Sequence, residues 1–519
     1  MIRTVQVRRR PENGHAAGCS STIVARLLGA RGAPKSPDYS LRELTRPTLG
    51  GLETASRILA DAIERDKTIL IVGDFDADGA TGTALAVRGL RGLGARNVQW
   101  RMPDRVRHGY GLGPKLAEEC LVLKPDVLVT VDQGISSHAG IERVRAAGVE
   151  VIVTDHHLPG LRLPDASAIV NPNCPGDPYP SRHLAGVGVM FYVLAALRGE
   201  LRRRGRSTNF RLDALLDLVA LGTVADLVQL DENNRRMVYQ GLKRIRAHRC
   251  APGIVALLEV AGRNLSHITA ADLGFIAGPR LNAAGRLDDI SVGIRCLLAD
   301  DADTAMQLAG ELDRFNRERQ SLQAEMTEKA IELADAVTAK LERMPGGLCL
   351  YAPDWHPGVV GLVASRICEK TQRPVVAFAD QPRLSAFQQA FDEHVARFKY
   401  PADEVLSDGE LPARELTLET ALAISDAGPW GQGWEEPLFD GRFTVLDRRV
   451  VGGSHLKLSL EAHGGGPVIE AIAFRAGDLC HQEITSPLHV TYRLEINRWR
   501  GNTTPQLNIQ HLVEAITSS

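Results

Sequence analysis

No Cys-x-x-Cys pair occurs in this 519-residue chain, although it carries 8 cysteines: Cys19, Cys120, Cys174, Cys250, Cys296, Cys349, Cys368 and Cys480. That spacing argues against structural zinc, and a chain of this size has no need of a disulfide framework. There is no excess of either charge: 61 Lys and Arg stand against 63 Asp and Glu, a formal net charge of −2. A wholly basic nucleic-acid coat protein is thereby disfavoured, whereas a local basic groove is still allowed. No run is long and apolar enough to span a bilayer, and the segment from Met1 to Arg10 lacks the apolar core of a signal peptide. A soluble, cytoplasmic protein with no membrane partner is expected. Neither a solenoid-type repeat nor a low-complexity tail is present.

What the chain does have is ordinary globular composition, 44% hydrophobic and 24% charged, and length for about three domains. Residues 1–50 are mixed and rich in Arg, Gly and Pro, and read as an irregular lead-in. From Gly51 to Asp66 the pattern suits an amphipathic helix. Strand candidates then alternate with helical stretches, at Thr68–Val72, Val98–Arg101, Val127–Val131, Val151–Thr154 and Ala168–Val170, which is the signature of a parallel α/β sheet. Leu212–Leu221 reads as a buried helix. Ala302–Arg343 has few breakers and predicts a long helix, or two in sequence, linking two lobes. Leu348–Tyr351 and Val375–Phe378 look like strands of a second, smaller α/β lobe, flanking a helix that starts near Gly358, with a further helix over Ser385–Lys399. Beyond Pro401 the candidates Phe443–Val451, Leu456–Glu461, Ile469–Phe474, Val490–Ile496 and Gln506–Val513 suit a small barrel such as an OB-fold. The division expected is therefore 1–50, 51–300, 301–343, 344–400 and 401–519.

The chemistry gathers at strand ends. Asp74, Asp76 and Asp78 alternate directly after the apolar run Ile69–Val72. In extended backbone they project to one side, where three acids repel one another unless cations sit between them. Hard oxygen donors favour Mg²⁺ or Mn²⁺. A helix N-cap would use one such acid but does not need three. Asp132 follows the strand candidate Val127–Val131 in Val-Asp-Gln-Gly, and Asp155-His156-His157 follows Val151–Thr154. An Asp near a Gly is usually a turn, and a lone His usually structural. Their value lies in repetition at three strand ends. Asp226, after the helix at Leu212–Leu221, completes enough carboxylates and imidazoles for two metals. Such an ion pair activates a water and offsets the charge on the leaving oxygen of a phosphodiester.

In combination, Asp74-Phe75-Asp76-Ala77-Asp78-Gly79, Val131-Asp132-Gln133-Gly134, Asp155-His156-His157 and Gly222-Thr223-Val224-Ala225-Asp226 resemble the DHH phosphoesterase superfamily. Gly278-Pro279-Arg280-Leu281-Asn282-Ala283-Ala284-Gly285-Arg286 and the block from His356 to Arg366 are similar to the bacterial RecJ exonucleases, which degrade single-stranded DNA from the 5′ end. So are Ala427-Gly428-Pro429-Trp430-Gly431 and Pro437-Leu438-Phe439-Asp440-Gly441, and the resemblance covers nearly the whole chain. It implies an α/β fold: a parallel-sheet DHH phosphoesterase domain, a long linking helix, a smaller and shortened α/β DHH-associated domain, and a C-terminal OB-fold-like β-barrel.

The roles that follow are those of a metal-dependent 5′-to-3′ exonuclease in DNA repair and recombination. Asp74, Asp76, Asp78, Asp132, His156 and Asp226 would hold two Mn²⁺ or Mg²⁺ ions, with Asp132 as the bridge. Asp155 would orient an imidazole. His157 would back the ligands or face the scissile phosphate, and His356 would approach the reacting phosphate from the second lobe. Arg280, Asn282, Arg286 and Arg366 would contact DNA. On the barrel, Arg498, Trp499 and Arg500 would hold phosphates and stack bases, although Trp499 could instead pack the barrel end. The basic run Arg202–Arg206 reads as a solvated loop. The partners implied are single-stranded DNA, a single-strand-binding protein and a helicase, with the chain a monomer.

The family pattern also shows what is absent. A Ser-Gly-Arg-Ser-like segment and a later Gly-Gly-His block are missing, because Ala377-Phe378-Ala379-Asp380-Gln381 runs straight into the next helix. The expectation is a second lobe that has lost strands and a DNA-contacting patch, with the metal ligands untouched. Two other functions stay open at this point: a phosphoesterase acting on short oligonucleotides or small molecules, and a catalytically impaired DNA-binding relative.

Overall fold

Short runs of branched apolar side chains build the central sheet. Its strands lie in the order Val98–Arg101, Ile69–Val72, Val127–Val131, Glu150–Thr154 and Ala168–Val170, and every neighbouring pair is parallel. Ile69–Val72 and Val127–Val131 are buried at every position, as continuous apolar strands covered on both faces must be. On one face the helices Pro114–Leu121 and His138–Ala146 bury Leu116, Cys120, Ile141 and Val144 against Leu70, Val72, Leu128, Val151 and Val153. Helices Ala77–Gly92 and Gly186–Arg203 pack against each other, and Gly82 of the first lies against Val131 of the sheet. Within this sheet the first strand in sequence order thus lies between the second and the third. Strand order reverses there, and the carboxyl ends of the two central strands open a crevice in which such folds bind ligands.

The computed structural model describes residues 3–11, 14–19, 21–338, 346–379, 384–395, 397, 404–481, 486–499 and 501–513. It divides into one unit of Tyr39–Lys399 and another of Met1–Asp38 with Tyr400–Ser519. Among the described residues no helix is long and apolar enough to cross a membrane.

Within the larger unit the sheet is followed by helices, among them Leu216–Ala225, Glu232–Arg246, Pro252–Glu259, Gly278–Leu287 and Ser291–Leu298. Ala302–Thr338 then runs for 37 residues, ~55 Å at 1.5 Å per residue. It touches Pro252–Glu259, Gly278–Leu287 and Ser291–Leu298, and beyond them Val360–Thr371 and Leu348–Tyr351. The remainder of the expected helix, 339–343, lies outside the described residues. Leu348–Tyr351 pairs in parallel with Val375–Phe378, and the two form a sheet of their own. Its core joins Leu348 and Leu350 to Trp355, Val363 and Ile367 and to Met326 and Ala330 of the long helix. Every residue of Val375–Phe378 is only partly buried. The last helix of this lobe is Leu384–Val395.

In the other unit five strands, Phe439–Val451, His455–Ala462, Val468–Ala473, Leu488–Trp499 and Asn502–Val513, form a barrel-like sheet. Four of the pairings are antiparallel, and a parallel pairing of Val468–Ala473 with Asn502–Val513 brings the sheet round on itself.

The opening residues differ from the sequence reading. Far from being an irregular lead-in, Arg3–Arg9 is a strand that pairs in parallel with Asn502–Val513 and with Glu404–Ser407. Thr22–Ala30 is a helix whose first turn is capped by the Ser21 side chain. The strand was hard to see because only Val5 is buried in it. The arginines that made the segment look solvated are taken up by distant acids: Arg9 by Asp440 at 2.7 Å and Arg31 by Asp408 at 2.7 Å.

Candidate metal centre

Each acid of the Asp74-x-Asp76-x-Asp78 run is placed differently by the strand-to-helix turn. Asp76 is the N-cap of Ala77–Gly92, and its Oδ1 accepts from Gly79 N at 3.0 Å. Asp78, in the first helical turn, accepts from Gly186 N at 2.6 Å and Val187 N at 2.9 Å, and so anchors the start of Gly186–Arg203. Asp74 ends the strand side with its Oδ1 buried and without a hydrogen-bond partner. Asp132 sits at φ 63°, a left-handed conformation that costs a non-glycine residue energy and marks sites where geometry is imposed. A side chain on Gly186 would collide with Asp132, and one on Gly222 with Thr81 and Asp78; both positions need glycine because the site packs against bare backbone.

The donors converge. Asp74, Asp76 and Asp132 form one group whose ligand atoms lie within 4.8 Å of one another; Asp78, His156 and Asp226 form a second, and Asp132, His156 and His157 a third. His156 Nε2 lies 3.1 Å from Asp132, 3.5 Å from Asp226 and 3.9 Å from Asp78. Yet His156 Nε2 and Asp132 Oδ1, like Asp74 Oδ1, are buried with no hydrogen bond made. Orphaned buried polar atoms are rare in native proteins and point to a missing partner.

Electrostatics give the same reading. Burial first, then the charge of Asp76, pushes the carboxyls of Asp74 and Asp78 each up to about 7. Burial and Asp78 push Asp226 up to about 8 and Asp132 well above its ordinary range. Burial, then His157, pushes His156 down to about 4, so its imidazole is neutral, as a metal ligand must be. These donors, carboxylates with one neutral imidazole, fit hard divalent cations, which would relieve the repulsion.

Asp155 stands apart from this repulsion. It accepts from His157 Nδ1 at 2.8 Å, Ile135 N at 2.8 Å and His156 N at 2.7 Å. Burial would raise it, but these bonds, led by that from His157, hold it below the usual carboxylate range. The Asp155 hydrogen bond in turn raises His157 to about 9.

Two neighbours escaped the sequence reading. Tyr110 Oη lies 3.2 Å from His157 Nδ1, and the Arg105 guanidinium lies 3.9 Å from the centroid of the Phe75 ring. The segment Arg105-Val-Arg-His-Gly-Tyr110-Gly-Leu-Gly, an Arg- and Gly-rich loop after the second parallel strand, was the available signal.

Of the other residues singled out, not all are placed to touch a ligand. Arg280 is committed to Asp313, which is buried, at 2.8 Å, and to Ile276 O at 2.7 Å. This pairing ties its helix to the long helix that carries Asp313. The Asn282 side-chain oxygen accepts from Ala77 N at 2.8 Å, so this residue ties its helix to the acidic turn. Arg286 Nη1 donates to Gly358 O at 3.0 Å. In that same turn His356 Nδ1 accepts from Gly358 N at 3.1 Å. Arg366 is paired with Glu369 at the surface. In the barrel unit Arg498 is exposed, and Trp499, 67% exposed, does not pack the barrel interior. Arg500 lies outside the described residues.

A model of the DHH family N-terminal domain matches residues 68–223, and one of the RecJ OB domain matches 407–511. The single-stranded-DNA-specific exonuclease RecJ of Salmonella typhimurium is 43% identical, over 98% of this chain and 99% of its own length. The chain belongs to the RecJ family. The Escherichia coli RecJ is 42% identical over 99% of this chain and 100% of its own. Among solved structures, RecJ from Thermus thermophilus in complex with Mn²⁺ matches with a TM-score of 0.80 at 31% identity, over 99% of this chain and 80% of that one. The same RecJ has been solved with Mg²⁺, so both ions expected from the acidic strand ends occur in RecJ structures. The alignment with the Salmonella RecJ extends over 574 positions, more than the 519 residues present here. That RecJ therefore carries segments with no counterpart in this chain.

Proposed function

We propose that this chain is a two-metal exonuclease that hydrolyses single-stranded DNA from the 5′ end. The observation that carries the reading is the convergence of Asp74, Asp76, Asp78, Asp132, His156 and Asp226 with their buried donor atoms unpartnered. These six residues would hold the ions. Asp132 would serve as the bridge, since among the described residues it is the carboxylate that belongs to two of the ligand groups, beside the acidic turn and beside the imidazoles. A bound ion pair supplies an activated water and charge compensation for the departing oxygen.

The chain's own residues do the rest. Asp155 fixes the His157 ring, and the Tyr110 hydroxyl lies against the same ring. The raised His157 keeps a positive charge at neutral pH and faces the phosphate. Arg286 and Arg366 are phosphate contacts on the larger unit. Arg498 and Trp499 give the barrel unit a surface for holding the strand, by charge and by stacking. The substrate has to be delivered unpaired, and the partners this reading assigns are a helicase and a single-strand-binding protein, acting with a monomer of this chain.

The test is digestion of end-labelled single strands with Mn²⁺. A 5′ label should appear at once as mononucleotide, while a 3′ label should persist on progressively shorter strands. Activity on dinucleotides with none on long strands would favour the small-substrate phosphoesterase instead.

A further inference from the structure

A line of arginines leads away from the metal centre along the larger unit. Arg105, beside the acidic turn, donates to Gly285 O at 3.2 Å. The next residue, Arg286, donates to Gly358 O, in the turn that opens the helix carrying Arg366. The long helix, which packs against the helices of Arg286 and Arg366, contributes Arg319, which the sequence did not single out. Its Nη2 donates to Asn316 Oδ1 at 2.8 Å and its Nη1 to Gln323 Oε1 at 3.1 Å, while its Nε is buried with no partner.

The bracing is informative. Asn316, only 3% exposed, and Gln323 are neutral amides: they fix the plane of the guanidinium without cancelling its charge. Among the described residues no carboxylate pairs with Arg319, Arg286 or Arg105, in contrast to Arg280, which pairs with Asp313 of the same long helix. The charge acting on Arg319 is that of Arg366, and those acting most on Arg286 are Arg105 and Arg319. Burial, then Arg366, lowers the proton affinity of Arg319; burial, then Arg105 and Arg319, lowers that of Arg286. Guanidinium stays protonated through such shifts. Like charges held together, oriented and uncompensated, are costly in a free protein unless an anion comes to them. The acids of the metal centre act on Arg105 and, through Asp76, on Arg286, but not on Arg319. Arg319 thus belongs to the outer part of the line.

We infer that Arg319, held by Asn316 and Gln323, binds an internal phosphodiester of the substrate strand outside the metal centre, together with Arg286 and Arg366. This inference rests on the exonuclease reading and adds to it a strand-holding residue on the linking helix. A contact to a non-reacting phosphate contributes equally to ground and transition states, so its loss moves KM and not kcat.

The experiment compares the full wild-type chain with Arg319→Gln and Arg319→Lys on an oligodeoxythymidine, bearing either a 5′-phosphate or a 5′-hydroxyl. Affinity is measured with Ca²⁺ over a salt series, and turnover with Mn²⁺. Arg319→Gln should raise KM and Kd about tenfold, keep kcat within about twofold, and reduce the slope of log affinity against log salt by about 0.7, the loss of one single-strand phosphate contact. Arg319→Lys should keep the wild-type slope, because it keeps the charge; a fold defect alone would not separate the two variants in this way. The penalty should be equal on both kinds of 5′ end. A penalty confined to the 5′-phosphorylated strand, a fall in kcat alone, or an unchanged slope in Arg319→Gln would overturn the assignment while leaving the exonuclease reading intact. Failure of the wild-type chain to digest either strand would instead break the reading on which the inference rests.

Discussion

Asp132 and Asp440 are both 1% exposed, and they sit in opposite electrostatic situations. Asp440, in the barrel unit, accepts from Arg9 Nη2 at 2.7 Å, Arg9 Nε at 3.2 Å and Ser407 Oγ at 2.5 Å, and His489 lies 3.5 Å away. Burial alone would raise its carboxyl, but the bonds from His489, Arg9 and Ser407 outweigh burial and hold it far below the usual range. Asp132 has an unpartnered oxygen and four acids acting on it, Asp78, Asp76, Asp226 and Asp74. A buried acid whose partners are supplied by the fold stabilises that fold. One surrounded by other acids is a liability that only a cation removes. The first joins the N-terminal strand to the barrel unit; the second is arranged for chemistry.

The widest separation between the two should come from removing each carboxylate. Asp132→Ala should abolish hydrolysis, a loss of at least ~10³-fold, since both ions lose a shared ligand, with calorimetry showing weakened Mn²⁺ binding and single-strand affinity retained. Near-normal turnover in this variant would end the two-metal assignment. Asp440→Ala should instead destabilise the barrel unit by about 3 kcal/mol, the scale for breaking a buried pair, and leave Mn²⁺ affinity unchanged. Because the folded carboxyl lies below its unfolded value of about 3.9, its contribution is complete above that pH and is lost as the pH falls through the folded value. The stability gap between wild type and Asp440→Ala should therefore be full at pH 6 and close progressively in acid. A gap constant down to pH 2 would mean that Asp440 acts through packing alone. Smaller again is the effect of the ion itself. Mn²⁺ at a hundred times its Kd should stabilise the wild-type metal unit by about 2.7 kcal/mol, read as a rise in the melting temperature of that unit. Asp132→Ala should lose most of this rise and Asp440→Ala should keep it.

Much of this difference was written in local sequence, and part of it could not be. The central parallel strands were legible because Ile69–Val72 and Val127–Val131 are continuous, fully buried runs, and most of the metal site because its acids and imidazoles, Asp226 apart, follow strand ends closely. The barrel strands were legible from alternation, with ends misplaced by a few residues where pairing extends past the apolar pattern, as at Phe439–Val451. Arg3–Arg9 was not legible, since one buried valine gives no period and its acceptor, Asp440, is 431 residues away. The Arg280 partner was hidden for the same reason: its motif suggested a phosphate contact, and Asp313 lies 33 residues further on, in the long helix. Arg319 carried no motif at all. Its significance comes from which charges fail to surround it, a property of packing.

The final prediction concerns the second lobe. Ile69–Val72 is buried throughout between strands on both sides, whereas Val375–Phe378 is half-exposed in a sheet of two. Two strands are fewer than a sheet normally needs for independent stability, and here the long helix supplies the missing cover from one side. All the proposed metal ligands belong to the first lobe, at or before Asp226, so the ion site does not depend on the smaller sheet. Hydrolysis depends on more than the ions, because the strand must be held in line with them. Inserting a family-length segment with the Ser-Gly-Arg-Ser and Gly-Gly-His blocks between Asp380 and Gln381 should therefore raise activity on long single strands by about tenfold, ~1.4 kcal/mol of transition-state stabilisation, and leave Mn²⁺ affinity as it was. Equal activity with and without the segment would show that the arginines already present, Arg286, Arg319 and Arg366, hold the strand unaided. A change in Mn²⁺ affinity would show that the two lobes are coupled through the ion site, which the placement of the ligands argues against.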